Sequence, residues 1–289
     1  MATLSEWIEG ARPRTLPAAA APVFVGAGAA AHIDSFHFLY ALLALLVAVA
    51  LQIGVNYAND YSDGVRGTDL DRVGPTRLTA SGLAQPRHVK YAAFAAFGVS
   101  ALIGLTLVAL TGYWWLLAVG ALCILAGWYY TGGKNPYGYA GLGEVGVFIF
   151  FGLVATMGTT YILAGRVTWP SLLGAIGIGL IACAILMANN IRDITTDVIA
   201  GKRTLAVRIG DFKARQLYIA MIWLPLLLAI ACAFFNPWAL LTLMLGLPAV
   251  LLTLPMFAGA RGKLLIPVLV GTGMYELAYG ALLGIGLAL

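Results

Sequence analysis

The chain has 289 residues, 61% of them hydrophobic and only 10% charged, with a mean hydropathy of +0.92. That balance excludes an ordinary soluble domain and defines an integral membrane protein. Apolar stretches near the roughly 20 residues needed to cross the hydrocarbon core recur along nearly the whole length, so helices rather than barrel strands are expected. The net charge of +5 follows from loop topology and attraction to anionic lipid, and no nucleic-acid partner is expected from it.

Taken in chain order, the first span is predicted over residues 15–31. A basic pair followed by LPAAAAPVFVGAGAAA imitates a secretory signal, but Glu6 and Glu9 precede it, Pro17 and Pro22 interrupt it and further spans follow, so a retained helix is the better reading. The second span, 36–56, runs into NYANDYSDG at residues 56–64. If that helix continues to residue 63, Asn56, Asn59, Asp60 and Asp63 fall at i, i+3, i+4 and i+7, one stripe on one face. The polar stretch of about thirty residues that follows is too short and too polar to hold a core of its own. It carries Asp69, Asp71, Arg72 and Arg77.

Spans 91–111 and 113–131 come next, then YYTGGKNPYGYAGLGE at residues 129–144, a Gly-rich turn that sets Tyr130 and Lys134 four residues apart. Spans 144–164 and 170–190 follow, and the second leads into NNIRDITTDVIAGKRTL at residues 189–205. There Asn189, Asp193 and Asp197 repeat the four-residue spacing, with Lys202, Arg203 and Arg208 just beyond. Asn59-x-x-x-Asp63 and Asn189-x-x-x-Asp193 are offset by 130 residues, which suggests an internal duplication with equivalent sites in two halves. Spans 216–234, 237–257 and 264–286 complete nine helices in a single membrane domain over residues 1–289. The three cysteines lie inside predicted spans without paired spacing and read as packing residues, and the three histidines lack ligand spacing.

Of the 17 basic residues, all but Arg166 fall beside loops on one side of this arrangement. The positive-inside rule therefore places the amino terminus and those loops in the cytoplasm and the carboxyl terminus outside. Both acidic segments are on the same cytoplasmic side. Carboxylates at a bilayer boundary need partners, and two facing acidic stripes repel unless a cation lies between them. Asn59, Asp60, Asp63, Asp193 and Asp197 offer oxygen only, which selects a hard ion. Mg²⁺ typically takes one or two carboxylates and completes its shell with substrate phosphate oxygens and water. A diphosphate held between the two clusters by two Mg²⁺ ions fits, and Arg72, Arg77, Lys134, Lys202 and Arg203 are placed to neutralise it as it departs. Aromatics including Tyr57, Tyr61, Tyr129, Tyr130, Phe148, Phe150 and Phe151 lie nearby; most are expected to pack, and any that line a cavity could stabilise a carbocation.

At this point the sequence resembles the UbiA superfamily of intramembrane prenyltransferases. The resemblance is carried by Asn59-Asp60-x-x-Asp63, Asp193-x-x-x-Asp197, Tyr130-x-x-x-Lys134 between them and RPRTLP at residues 12–17. Within it, NDYSDGVRGTDLDRVGPTRL, YTGGKNPYGYAGLGE and NNIRDITTDVIAGKRTL look most like the naphthoate-prenylating branch of the menaquinone pathway. Relatives that prenylate benzoates carry a further Asp four residues after the position of Asp63; here Gly67 stands there, with Asp69 two residues later.

The resemblance implies an all-α membrane fold, with nine helices around a central cavity and a cytoplasm-facing polar cap in a bacterial cell membrane. It implies transfer of a polyprenyl group from polyprenyl diphosphate to 1,4-dihydroxy-2-naphthoate, with loss of diphosphate and CO₂. Asp63, Asp193, Asp197 and Lys134 would take catalytic roles. Asn56, Asn59, Asp60, Asp69, Arg72, Arg77, Tyr130, Asn189, Lys202 and Arg203 would contact substrate. Two other classes share parts of the pattern. An ion-coupled transporter would put acids near the midplane, as Glu276 is, and a phosphatidyl-alcohol transferase would gather its acids in one compact motif.

Overall fold

The computed structural model describes residues 2–67 and 77–289, so the expectations for Asp69, Asp71 and Arg72 fall outside the described residues. All regular structure among those residues is helical. In chain order the α-helices are α1 (Leu4–Gly10), α2 (Leu16–Ala31), α3 (Phe38–Arg66), α4 (Pro86–Thr111), α5 (Leu116–Tyr129), α6 (Gly143–Val147), α7 (Ala155–Ala164), α8 (Trp169–Arg192), α9 (Ile194–Ile199), α10 (Leu205–Ile209), α11 (Asp211–Cys232), α12 (Gly246–Phe257) and α13 (Ile266–Ala288). A π-helical segment, Phe148–Val154, joins α6 to α7, and 3₁₀ turns lead into α12 and α13. Seven helical rods are long and apolar enough to cross a membrane: Phe38–Arg66, Pro86–Thr111, Gly143–Ala164, Trp169–Arg192, Asp211–Cys232, Pro237–Phe257 and Gly262–Ala288. The predicted spans 15–31 and 113–131 correspond to shorter helices, α2 with 16 residues and α5 with 14.

Two departures from the predicted boundaries have clear causes. Helix α3 runs ten residues past the predicted end, through the whole polar stripe to Arg66. It can do so because the buried side chains of Asn56, Tyr57 and Asp60 find protein partners. Asn56 Nδ2 donates to Ala11 O at 2.8 Å and Thr15 Oγ1 at 2.9 Å, and the Tyr57 hydroxyl donates to Trp7 O at 2.7 Å. The Asp60 carboxylate accepts the backbone N–H groups of Leu78 and Thr79 at 2.8 and 2.9 Å. Only at Gly67, with φ 71°, does the chain turn off. The predicted 237–257 span begins as a 3₁₀ helix, Pro237–Leu245, before becoming α-helical.

Packing is most extensive between α3 and α4, α2 and α13, and α8 and α11. The α2–α13 seam needs glycine. A Cβ on Gly28 would stand 2.1 Å from the Gly284 carbonyl oxygen, and one on Gly284 would stand 2.4 Å from Phe24 O. Small residues let helix backbones approach this closely where burial from water supplies no drive between spans. The largest apolar core joins α2, α8, α11, α12 and α13. A second, smaller one ties Tyr57 and Ala58 of α3 to Val89, Ala93 and Phe97 of α4. Residues packed against each core, Val147 and Leu269 on the first and Leu51, Val55 and Ile124 on the second, line a shared cavity.

Candidate active site

Asp63 is 4% exposed and sits within the last turn of α3. Three chemically distinct groups reach its carboxylate. The Tyr139 hydroxyl donates to it, Arg77 Nη2 approaches Oδ2 at 3.9 Å and Lys202 Nζ approaches Oδ1 at 3.8 Å. Lys202 also stands over the Tyr139 ring at 4.6 Å and Arg66 at 5.3 Å, a cation–π geometry that holds the ring among the charges. Arg66 in turn donates to the carbonyls of Thr131 and Gly133, fastening the end of α3 to the Gly-rich turn. Asn59, one turn back, accepts the Thr131 hydroxyl at 2.8 Å.

The second acidic segment sits at the end of α8. Asp193 has φ −99° and ψ 8°, which ends α8 and starts α9, so Asn189, Asp193 and Asp197 follow a kinked path rather than one straight helix. The ladder survives the kink, since Asp193 N–H donates to Asn189 O at 3.1 Å and Asp197 N–H to Asp193 O at 2.8 Å. Arg192 grips Asp193 through Nε and Nη2, both at 2.6 Å, and Asn189 Oδ1 through Nη2 at 2.8 Å. Asp193 and Asp197 are 7% and 8% exposed.

Both segments open onto one cavity of about 1340 Å³, larger than the ~300–1,000 Å³ of usual small-molecule sites. One end is polar, with Arg12, Asn59, Asp63, Arg77, Asn189, Asp193, Asp197 and Lys202. The walls toward the bilayer interior are apolar, with Val23, Val47, Leu51, Leu107, Ile124, Phe150, Phe151 and Leu186 among them. Phe150 and Phe151 are sequence neighbours in the π-helical segment, and both line the cavity. Tyr130 and Tyr137 are also in the lining. The Tyr137 hydroxyl donates to Ala126 O at 3.1 Å, and burial pushes its phenol up to about 12, so it stays neutral near pH 7.

Several predicted residues lie elsewhere. Asp60 is 1% exposed and outside the cavity lining, its carboxylate turned to the backbone of Leu78 and Thr79; this anchors the turn and departs from the expected metal ligation. Asn56 lines the cavity but binds Ala11 and Thr15 with its amide. Lys134, on the Gly-rich turn, and Arg203, whose backbone N–H donates to Tyr139 O, are exposed and outside the lining. Of the aromatics, Tyr57 packs against Trp7, Tyr61 against Trp128, and Tyr129 is exposed. Glu276 is fully buried in α13, outside the cavity lining, and neither carboxyl oxygen has a hydrogen-bond partner among the described residues. Asp211 pairs with Arg215 at 2.9 Å and Arg261 at 3.9 Å.

Sequence reasoning missed Tyr139 and Arg192. Their signals were a tyrosine in a Gly-rich loop and an arginine beside an acidic motif, and neither tells which carboxylate it meets.

Among the described residues no three His, Cys, Asp or Glu side chains gather as a ready-made metal cage. The donor set still suits a hard divalent ion. Asn59, Asp63, Asn189, Asp193 and Asp197 all line one cavity, and an Mg²⁺ needing only one or two carboxylates leaves the rest of its shell to phosphate and water.

A helical membrane bundle with acids and cations at one end of an apolar-walled cavity suits an amphipathic anionic ligand. The pattern of the UbiA prenyltransferase family matches residues 19–285, and the chain belongs to that family. It is 51% identical over 96% of its length to the 1,4-dihydroxy-2-naphthoate octaprenyltransferase of Mycobacterium tuberculosis, covering 95% of that protein. It is 40% identical to the protein of that name from Escherichia coli, over 81% of this chain and 77% of that one. Among solved structures, a ligand-free UbiA homologue from Aeropyrum pernix K1 matches with TM-score 0.70 at 18% identity, over 93% of this chain and 96% of that one. A UbiA homologue from Archaeoglobus fulgidus bound to GPP and Mg²⁺ matches with TM-score 0.67 at 14% identity, over 96% and 99%. At these identities the structural likeness speaks to the fold.

Proposed function

We propose that this protein transfers a polyprenyl group from polyprenyl diphosphate to 1,4-dihydroxy-2-naphthoate. The observation that carries the reading is the single cavity on which both acidic segments open, with cations at the same end and apolar walls beyond. The relatives named for this reaction, at 40–51% identity, point to the acceptor.

Asn59, Asp63, Asn189, Asp193 and Asp197 would hold Mg²⁺, with two ions expected. Bound Mg²⁺ would supply the positive charge that makes diphosphate a competent leaving group. Arg77 and Lys202 neutralise the charge that grows on the departing oxygen. Tyr139 holds Asp63 in place, and Arg192 does the same for Asp193. The allylic C–O bond breaks and its electron pair leaves with diphosphate. A new C–C bond forms at the ring carbon that carries the carboxylate, and the C–CO₂ bond returns its pair to the ring. The product is the prenylated naphthalene-diol, the reduced form of demethylmenaquinone. Phe150, Phe151 and the aliphatic walls exclude water while the allylic centre is electron-deficient.

Helices α2 and α5 add two crossings to the seven long rods, giving nine, with α9, α10 and the adjoining loops forming a polar cap. The distribution of basic residues supports a cytoplasmic cap and amino terminus, an external carboxyl terminus and residence in a bacterial cell membrane.

The test is to incubate purified protein with Mg²⁺, polyprenyl diphosphate and a panel of aromatic acids, and weigh the products. A decarboxylated, prenylated naphthalene-diol is expected. Conversion of a benzoate instead, or of no acid at all, would count against the reading. Mg²⁺ titration of diphosphate binding gives the ion number.

A further inference from the structure

The cavity lining runs along α3 from Asp63 to Ala44, nineteen residues apart and so about 28 Å of axial rise. At the end far from Asp63, Val23 of α2, Ala44 of α3 and Leu107 of α4 form a small buried apolar cluster with Ile162 of α7 packed against it. All four line the cavity and make its floor.

Above that floor, three helices carry glycine where the cavity face would otherwise hold a side chain. Gly104 of α4 lies between Ser100 and Val108, Gly120 of α5 between Leu116 and Ile124, and Gly158 of α7 between Val154 and Ile162, all of them in the lining. Each flanking residue is four positions away, and residues four apart share a helical face, so each glycine is turned to the cavity. Beyond its own helix backbone, a Cβ on Gly120 or Gly158 would meet no described atom within 4 Å, and one on Gly104 would meet only Val47 Cγ2 at 3.9 Å. Glycine in mid-helix is destabilising relative to alanine, and close packing does not require it at these positions.

The three stand at one depth. Gly104 is level with Val47, sixteen residues from Asp63 on α3, or about 24 Å. A Cβ on Gly127 would stand 2.9 Å from Val55 Cγ2. Val55 is eight residues from Asp63 and Gly120 seven residues deeper than Gly127, about 22 Å together. Gly158 precedes Ile162 of the floor by one turn, which also gives about 22 Å.

Of the two substrates assigned above, only the prenyl diphosphate extends so far from the acids. The naphthoate is a rigid two-ring molecule. Each isoprene unit adds four chain bonds, about 4.5–5 Å when extended, by comparison with the three bonds and ~3.3–3.6 Å of a peptide residue. A tail of four units therefore ends short of the glycines, and one of more than about six cannot lie straight above the floor.

We propose that Gly104, Gly120 and Gly158 form the chamber in which a long polyprenyl tail bends, so that these positions set the longest donor the protein accepts. This rests on the prenyl-transfer reading. Side chains there would take the space a folded tail needs, and forcing extra methylenes into occupied apolar space is costly.

The test measures kcat/KM at fixed Mg²⁺ and naphthoate with donors of two, three, four and eight isoprene units. Each is expressed as the ratio of variant to wild type, so that partitioning of the donor into detergent cancels. Gly120→Leu and Gly158→Leu are expected to lower the eight-unit ratio about tenfold or more and to leave the two- and three-unit ratios near one. Retained turnover of the short donors shows that the variants fold. Gly98→Leu, on α4 but exposed and outside the lining, should leave every ratio near one. An undiminished eight-unit ratio in both cavity variants overturns the inference. An equal fall across all lengths does so too, as does a length-dependent fall in Gly98→Leu. Wild-type protein that uses no donor of any length refutes the enzymatic reading itself, and the inference falls with it.

Discussion

Replacing Asp63 by Asn removes one negative charge while keeping the shape of the side chain and an oxygen for the Tyr139 hydroxyl. Arg77 and Lys202 stand 3.9 and 3.8 Å from its carboxylate, and at an effective dielectric of about 20 each pair is worth about 4 kcal/mol. The side chains are 5–11% exposed, so water screens them little. A divalent ion held by Asp63 at shorter range would lose at least as much, and about 4 kcal/mol off the transition state is about 10³-fold in rate. The expected kcat/KM of Asp63→Asn is therefore lower than wild type by about 10³ or more. The same change removes one negative partner from two cations that line the cavity, and breaking a buried pair destabilises by about 3–5 kcal/mol. Inorganic pyrophosphate without Mg²⁺ should consequently raise the thermal midpoint of the variant more than that of the wild type. Initial rates in detergent or vesicles, with gel filtration as the check on folding, decide the matter. A folded variant turning over within tenfold of wild type at excess Mg²⁺ would refute the assignment of Asp63.

Four further outcomes follow from the same geometry. EDTA should stop turnover and added Mg²⁺ restore it; an EDTA-insensitive rate contradicts the oxygen-donor site. Tyr139→Phe removes the hydroxyl bonded to Asp63 and keeps the ring beneath Lys202, so kcat/KM should fall by about five- to fifteen-fold, and an unchanged rate would deny Tyr139 its positioning role. Arg192→Met removes the guanidinium that binds both oxygens of the Asp193 carboxylate, which is 7% exposed. The expected cost is about 3–5 kcal/mol of stability, visible as a lower thermal midpoint in detergent, and an unshifted midpoint would show that Asp193 does not depend on this guanidinium. Lys134→Ala should change turnover by less than about fivefold, the scale of an exposed charge; a loss of 10²-fold or more would return Lys134 to the catalytic set.

The acidic motifs were legible because charge is scarce in this chain and expensive at a bilayer boundary. Spacing of four put Asn59 with Asp63 and Asn189 with Asp193 on helical faces, and both pairs do sit at the ends of α3 and α8. Which member of each motif faces the cavity was not legible. Asp60 and Asp63 are three residues apart on one helix, yet one anchors the Leu78–Thr79 backbone and the other opens onto the cavity. That difference depends on where a turn eighteen residues away packs. Lys134 read as the lone cation of a Gly-rich turn, but it is exposed and outside the cavity lining.

The amino-acid sequence alone determined the membrane class and the helical form, since each follows from local composition and hydrocarbon thickness. It also placed oxygen donors at two positions, one at the end of each of two helices. The tertiary structure decided what those donors meet: Tyr139 reaching Asp63 across 76 residues, Thr131 reaching Asn59 across 72, and the backbone of Leu78 and Thr79 reaching Asp60. Hydrogen bonds are short-ranged and directional, so such pairings exist only once helices distant in the chain have packed side by side.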